Sequence, residues 1–294
     1  MKILAGLDAT SQSTFVVKEV ARLAGNTWAD VTLLGIDAGS SPGVEPFSAA
    51  HRTDETHPLI RALRGYREEF LSQFKADDSP YAKTSVDYEL VEVENNLWED
   101  LKVCRSTYKK LTTRIRAGNP ARAILTEVRQ FPCDLIVLGS TRNGTEGGMG
   151  PAPKKVIHDS ETSVLVVART EHPRRIVACL DHDLVSQDSL EMINQIVTLY
   201  QADLEIVAVS TNDGLTGEMD QRISQILKYY TANGIQALVR LVPGESLAEF
   251  TAQASRENLV AMWMGKQSLL RRIISPGSMD HLLDTSDYSV LILR

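Results

Sequence analysis

The chain has 294 residues, 43% of them hydrophobic and 23% charged, with a formal net charge of −7. This balance suits a globular protein of two domain lengths, and the acidic excess argues against a general nucleic-acid binder, which presents a basic face. No apolar run approaches the ~20 residues of a membrane helix, and the three cysteines (Cys104, Cys133, Cys179) are too scattered for a disulfide framework, so the expected compartment is the cytoplasm.

Taken in chain order, Lys2–Asp8 reads as an apolar strand, followed by a helix over Ser13–Ala24, a strand over Val31–Asp37 and a helix near Leu59–Phe74. Lys75–Lys110 then reads as an insertion of polar, aromatic and acidic character, with a helix near Asn96–Tyr108. It is a lid, an oligomer contact or a decorated edge. Strand Leu111–Arg116, the turn Ala117-Gly118-Asn119-Pro120, helix Ala121–Gln130 and strand Asp134–Gly139 follow, then a glycine-rich loop and the closing strand Ser163–Val167.

A second series begins with strand Arg175–Asp181 and a helix over Ser186–Tyr200, where Leu190, Ile193, Ile196, Val197 and Tyr200 recur at helical spacing. Strand Leu204–Val209 leads to a helix over Gly217–Ala232 that stops at Asn233-Gly234. Strand Gln236–Leu241, the Pro243-Gly244-Glu245-Ser246 turn, helix Leu247–Glu257 and strand Leu259–Gly265 come next. A loop, a short helix near Ser278–Leu283 and strand Ser289–Leu293 close the series.

The two series are one plan written twice. Lys2–Asp8 matches Arg175–Asp181, Asp134–Gly139 matches Asn258–Gly265, and Ser163–Val167 matches Ser289–Leu293. Helices alternating with Val-, Ile- and Leu-rich strands predict an α/β fold with parallel sheets covered on both faces, in domains spanning 1–170 and 171–294.

In such sheets ligands bind beyond the carboxyl ends of the strands. Asp8 and Asp181 stand there, able to accept a hydrogen bond from an adenine amine or a ribose hydroxyl, or equally to cap the helix that follows, with Thr10, Ser11 and Ser13 as competitors. The loop from Gly139 to Pro151 is rich in glycine and carries Arg142. It is either an anion cradle leading to a helix N-terminus after Gly150 or a flexible connection. In the second loop, from Gly265 to Ser278, Lys266, Arg271 and Arg272 add positive charge, and Ser278 is a helix cap or a phosphate ligand.

Asp181-His182-Asp183 is a weak metal pattern. No catalytic triad, Walker loop or GxGxxG element is present, which counts against a kinase, a P-loop hydrolase and an ordinary dehydrogenase.

The Leu-Asp strand ends, the Gly139-Ser140 loop and the Val164-Leu165-Val166-Val167 closing strand resemble those of a tandem universal stress protein. The resemblance implies two five-stranded parallel-sheet sandwich domains of the adenine-nucleotide α-hydrolase-like kind. It also implies pairing of the last strands, Val164–Val167 against Val290–Leu293, into an internal pseudo-dimer that could dimerise further. Many members bind ATP through Gly-x-x-Gly, nine residues, then Gly-Ser/Thr. By resemblance, Asp8, Asp181, Ile36 and Val209 lie near adenine and ribose. Gly139, Arg142 and Gly150, or Gly265, Ser268, Gly277 and Ser278, lie near the phosphates.

Both halves depart from that pattern. Arg142 and Ser268 replace the second glycine, and Gly139 to Gly150 spans eleven positions and Gly265 to Gly277 twelve, where the family pattern has thirteen. Pro151 stands in place of the hydroxyl residue, whereas Gly277-Ser278 is kept, so the second half is the preferred site. The expected function is a stress-response protein of binding type holding ATP or ADP (with Mg if bound), or another small anion. The alternatives are a ligand-free interaction module and a slow ATPase.

Overall fold

A computed structural model describes residues 1–39, 57–75, 79–81, 89–94, 97–101, 109–140, 149–168, 172–180, 185–210, 217–266 and 268–294. Two compact units make it up: Met1–Ser140 with Pro151–Thr162, and Ser163–Arg294 with Thr141–Gly150.

The first unit contains β1 (Lys2–Leu7), α1 (Gln12–Thr27), β2 (Asp30–Asp37), α2 (Pro58–Ser72), β3 (Glu89–Glu94), β4 (Leu97–Leu101), β5 (Leu111–Ala117), α3 (Pro120–Gln130), β6 (Leu135–Gly139) and α4 (Pro151–Asp159). Its strands lie in the order β3-β4-β5-β2-β1-β6. β5, β2, β1 and β6 are parallel. Leu33 and Leu34 are adjacent in β2 and both fully buried, as expected for a parallel strand covered on its two faces. α1 lays Val16, Val17, Val20, Leu23 and Ala24 against the sheet, a stripe at helical spacing. Glu19 of the same helix is also buried.

The insertion corrects one expectation. Instead of a helix near Asn96–Tyr108, the described part forms a hairpin: β3 pairs antiparallel with β4, and β4 pairs antiparallel with β5. Leu97 and Leu101 fit helical spacing equally well. Edge pairing decides, because Trp98 lies opposite Ile115 and Glu99 opposite Arg114, and Leu97 and Trp98 become buried. Arg114 reaches Glu99 at 2.8 Å and Glu127 of α3 at 2.6 Å, while Arg116 reaches Glu127 at 2.7 Å. This charge network pins both hairpin and helix to β5. Of the three readings of the insertion, the described residues carry a covered edge.

The second unit contains β7 (Ser163–Val167), β8 (Arg175–Cys179), α5 (Gln187–Tyr200), β9 (Asp203–Ser210), α6 (Gly217–Ala232), β10 (Ala237–Pro243), a 3-10 turn at Gly244–Ser246, α7 (Leu247–Ala254), β11 (Leu259–Trp263), α8 (Leu269–Ile273), α9 (Pro276–Thr285) and β12 (Val290–Leu293). The strand order is β10-β9-β8-β11-β12-β7. Every neighbouring pair is parallel except the last, in which Val290, Leu291 and Ile292 face Val166, Leu165 and Val164 antiparallel. The closing strands of the two repeats therefore pair as the resemblance implied. α8 is an element that the sequence reading did not contain.

Among the described residues, no helix is long and apolar enough to cross a membrane. They also hold no group of three or more His, Cys, Asp or Glu side chains able to grip a metal. The Asp181-His182-Asp183 pattern lies outside the described residues.

Candidate functional site

In each unit the strand order turns about the first strand of the repeat, β1 or β8, and the carboxyl end of that strand is where such sheets take a ligand. In the first unit Asp8 follows β1. Its Oδ1 accepts hydrogen bonds from Thr10 N–H at 3.0 Å, Thr10 Oγ1 at 2.6 Å and Ser13 Oγ at 2.8 Å. Its own N–H donates to Ser13 Oγ at 3.0 Å. Asp8 thus ties off the start of α1 through one oxygen, and the residue is half-buried.

Tyr66 was missed by the sequence reading. From α2, its hydroxyl donates to the carbonyls of Asp8 at 3.0 Å and Thr10 at 2.7 Å, fixing the β1–α1 loop. Burial, with the nearby Asp8 charge, raises its pKa, so it remains a neutral donor. The signal was available: Tyr66 lies on the same helical stripe as Leu59, Leu63 and Phe70, where a buried tyrosine needs a partner for its hydroxyl.

Ile36, at the end of β2, is half-buried. Gly139 ends β6, and a Cβ there would come within 3.2 Å of Val16 Cγ2 of α1. The next residues, Arg142 among them, lie outside the described residues, and the loop is picked up again at Met149 and Gly150. Met149 N–H donates to Asp284 Oδ1 at 2.6 Å, and Gly150 is half-buried before the first turn of α4.

The second crevice is built differently. Strand register sets the equivalence of the two halves: Ile3 lies opposite Leu135, and Ile176 opposite Leu259. Counting along from those pairs, the counterpart of Gly139 is Trp263. Gly265, which the sequence alignment had matched to Gly139, sits two positions further on. Trp263 is 7% exposed, and its indole lies across Gly265, where a Cβ would stand 2.5 Å from Cζ2. Its Nε1 is buried without a hydrogen-bond partner among the described residues.

Part of that loop is packed inward. Ser268 is buried, donating through Oγ to the Trp263 carbonyl at 3.0 Å and accepting from Leu270 N–H at 3.1 Å as the cap of α8. Leu270 and Ile274 are buried, and Ile273 packs against Gly244 beside Val209, which is itself buried.

The cap of α9 is Ser275, not Ser278. Ser275 Oγ accepts from Ser278 N–H at 3.1 Å, and Pro276 occupies the first helical position. Gly277 is exposed and Ser278 half-buried in that first turn. Asp181 lies outside the described residues. Positive charge does remain nearby: Arg294 donates to the Met264 carbonyl, and burial with the neighbouring Arg271 lowers its pKa to about 10.

Comparison with known proteins bears on this arrangement. The sequence model of the universal stress protein family matches residues 1–168. The chain belongs to the universal stress protein family. No curated protein sequence matches it.

Solved structures share the fold across the whole chain. A universal stress protein from Archaeoglobus fulgidus DSM 4304 superposes with a TM-score of 0.64 at 13% identity, covering 100% of this chain and 98% of its own. A putative universal stress protein from Pseudomonas aeruginosa UCBPP-PA14 gives 0.62 at 15% identity, covering 99% and 92%. A functionally unknown protein from Pseudomonas aeruginosa PAO1 gives 0.61 at 15%, with the same coverage. At these identities the likeness concerns the fold. The two α/β repeats of this universal stress protein thus follow a fold that these structures share along the whole chain.

Proposed function

We propose that this universal stress protein is a cytoplasmic stress-response protein of binding type, holding an adenine nucleotide in the first-half crevice while the second half serves as a self-packed partner. The observation that carries this reading is the substitution of Trp263 at the place of Gly139. A ligand approaching the end of β6 meets backbone, and one approaching the end of β11 meets an indole.

In this reading Asp8 Oδ2 accepts from the adenine amine or a ribose hydroxyl, and Ile36 supplies an apolar wall for the base. Gly139 lets the phosphates approach the backbone at the end of β6, with any Mg²⁺ arriving on the nucleotide. The second-half residues Asp181, Val209, Gly265, Ser268, Gly277 and Ser278 then have structural roles. The function is ligand-dependent partnering, with at most slow ATP hydrolysis.

The test is titration of the purified chain with ATP and ADP, after the protein has been denatured to identify any nucleotide it carried. Ile36→Asp should weaken binding at least tenfold, and Trp263→Leu should leave it within about twofold. Binding that survives Ile36→Asp unchanged would overturn the assignment to the first half. A chain that neither carries nor takes up nucleotide would favour the ligand-free interaction module.

A further inference from the structure

The two units treat the same sheet edge in opposite ways. β5 and β10 are equivalent strands. Gly6, Leu34 and Arg114 lie side by side across the first sheet, and Cys179, Val207 and Arg240 lie side by side across the second. Arg114 thus corresponds to Arg240, and Ile115 to Leu241. In the first unit β4 covers the edge, and Ile115 is fully buried. In the second, β10 is the last strand of the sheet among the described residues, with Leu238 63%, Val239 38% and Leu241 47% exposed. An uncovered apolar edge strand presents a row of unpaired backbone groups, and proteins generally blunt such edges with charge, proline or a covering segment.

The charges differ in the same sense. In the first unit Arg114 and Arg116 meet two carboxylates, Glu127 from α3 and Glu99 from the hairpin. In the second, Arg175 and Arg240 share one carboxylate, that of the buried Glu205. The Arg240 side chain remains 54% exposed, against 12% for Arg114. Among the described residues, the second unit shows no counterpart of the carboxylate and the apolar cover that the hairpin provides in the first.

We propose that the β10 edge is a docking site for an extended acidic–apolar segment of a partner protein, added antiparallel as β4 is added to β5. A carboxylate of that segment lies opposite Arg240 and a large apolar side chain opposite Leu241. Main-chain hydrogen bonds supply the affinity and these two side chains the selectivity. Pairing of β10 with β10 of a second copy does not meet the same need, because Ala237–Pro243 contains no acidic residue.

The first-unit hairpin provides a probe. A fluorescent peptide with the sequence of residues 89–101, titrated into the full-length chain and followed by anisotropy, should bind saturably, and a scrambled peptide should not. Leu241→Asp should weaken binding at least tenfold. Arg240→Gln should weaken binding of the parent peptide severalfold but leave that of an E99Q peptide unchanged. Leu241 is exposed, so Leu241→Asp should melt with the parent chain. Arg240→Gln takes one of its two partners from the buried Glu205 and should lower the melting temperature. Its effect is therefore read only as the difference between the parent and E99Q peptides, at a temperature where a melting curve shows the variant folded.

Three results would overturn the proposal: no saturable binding up to millimolar peptide, equal binding by Leu241→Asp, or equal effects of Arg240→Gln on the two peptides. Sedimentation velocity adds a fourth. Self-association that Leu241→Asp abolishes would assign the edge to a second copy of the chain.

Discussion

Glu19 offers a direct test of the packing of α1. Its side chain is 3% exposed, Oε2 lies 3.0 Å from Arg22 Nη1, and Oε1 meets no hydrogen-bond donor among the described residues. Burial outweighs the attraction of Arg22 and pushes the carboxyl from 4.5 up to about 7. A carboxyl whose pKa is higher in the folded than in the unfolded state holds its proton more tightly when folded. Its ionisation therefore costs stability progressively as pH rises through the window from 4.5 to about 7.

At ~1.4 kcal/mol per pKa unit the full cost is about 3 kcal/mol, reached above pH ~8. Glu19→Gln keeps the shape and removes the titration. Urea unfolding of both proteins at pH 5 and pH 8 should show the variant gaining about 2–3 kcal/mol on the parent between the two conditions, whatever constant offset the amide introduces. A stability difference that does not change with pH would mean that Glu19 is ionised throughout, in contact with solvent or a second cation, and would refute the reasoning.

Gly265→Ala places a methyl against the indole of Trp263; overpacking of this kind costs about 1–3 kcal/mol, and acrylamide quenching of tryptophan should rise as the ring is displaced. Unchanged quenching and stability would remove Trp263 as the filler of the second crevice. Glu127→Gln leaves Arg114 with Glu99 alone and gives Arg116 a neutral amide in place of its carboxylate, and should destabilise by about 3–5 kcal/mol; a loss below about 1 kcal/mol would show that the network is hydrated. Burial and the neighbouring Glu205 push the Cys179 thiol up to about 12, so at pH 8 a thiol reagent should modify it only at the rate of unfolding. Rapid modification of the native protein at Cys179 would contradict the packing of β8.

The sequence carried the order of the repeats because parallel strands buried on both faces are written as unbroken apolar runs, as at Leu135-Ile136-Val137-Leu138 and Leu259-Val260-Ala261-Met262. It carried the helix faces because burial at 3.6-residue period leaves a stripe. The hairpin was harder to see. Leu97 and Leu101 satisfy a helical spacing, and only the presence of β5 alongside selects the strand. α8 is a single short turn whose apolar residues, Leu270 and Ile274, acquire meaning only once β11 has ended and there is a surface for them to cover.

The mismatch between Gly139 and Gly265 has a similar origin. An alignment that anchors on glycines matches identical letters, whereas hydrogen-bond register matches positions. The two differ by the two residues that place Trp263 in the crevice. Tyr66, too, acts on atoms more than fifty residues away in the chain, and no local pattern announces a partner at that distance.

The strand that closes the first repeat is counted with the second compact unit, where it lies along β12. The repeat as written and the unit as built are therefore cut at different places. A fragment beginning at His172 would take β7 from Val290–Leu293 and bare that side of β12, a second sticky margin besides β10. One beginning at Ser163 takes that neighbour with it. Anyone asking what the second repeat does by itself should keep β7 with β12, or clumping of that piece will report the scalpel rather than the protein.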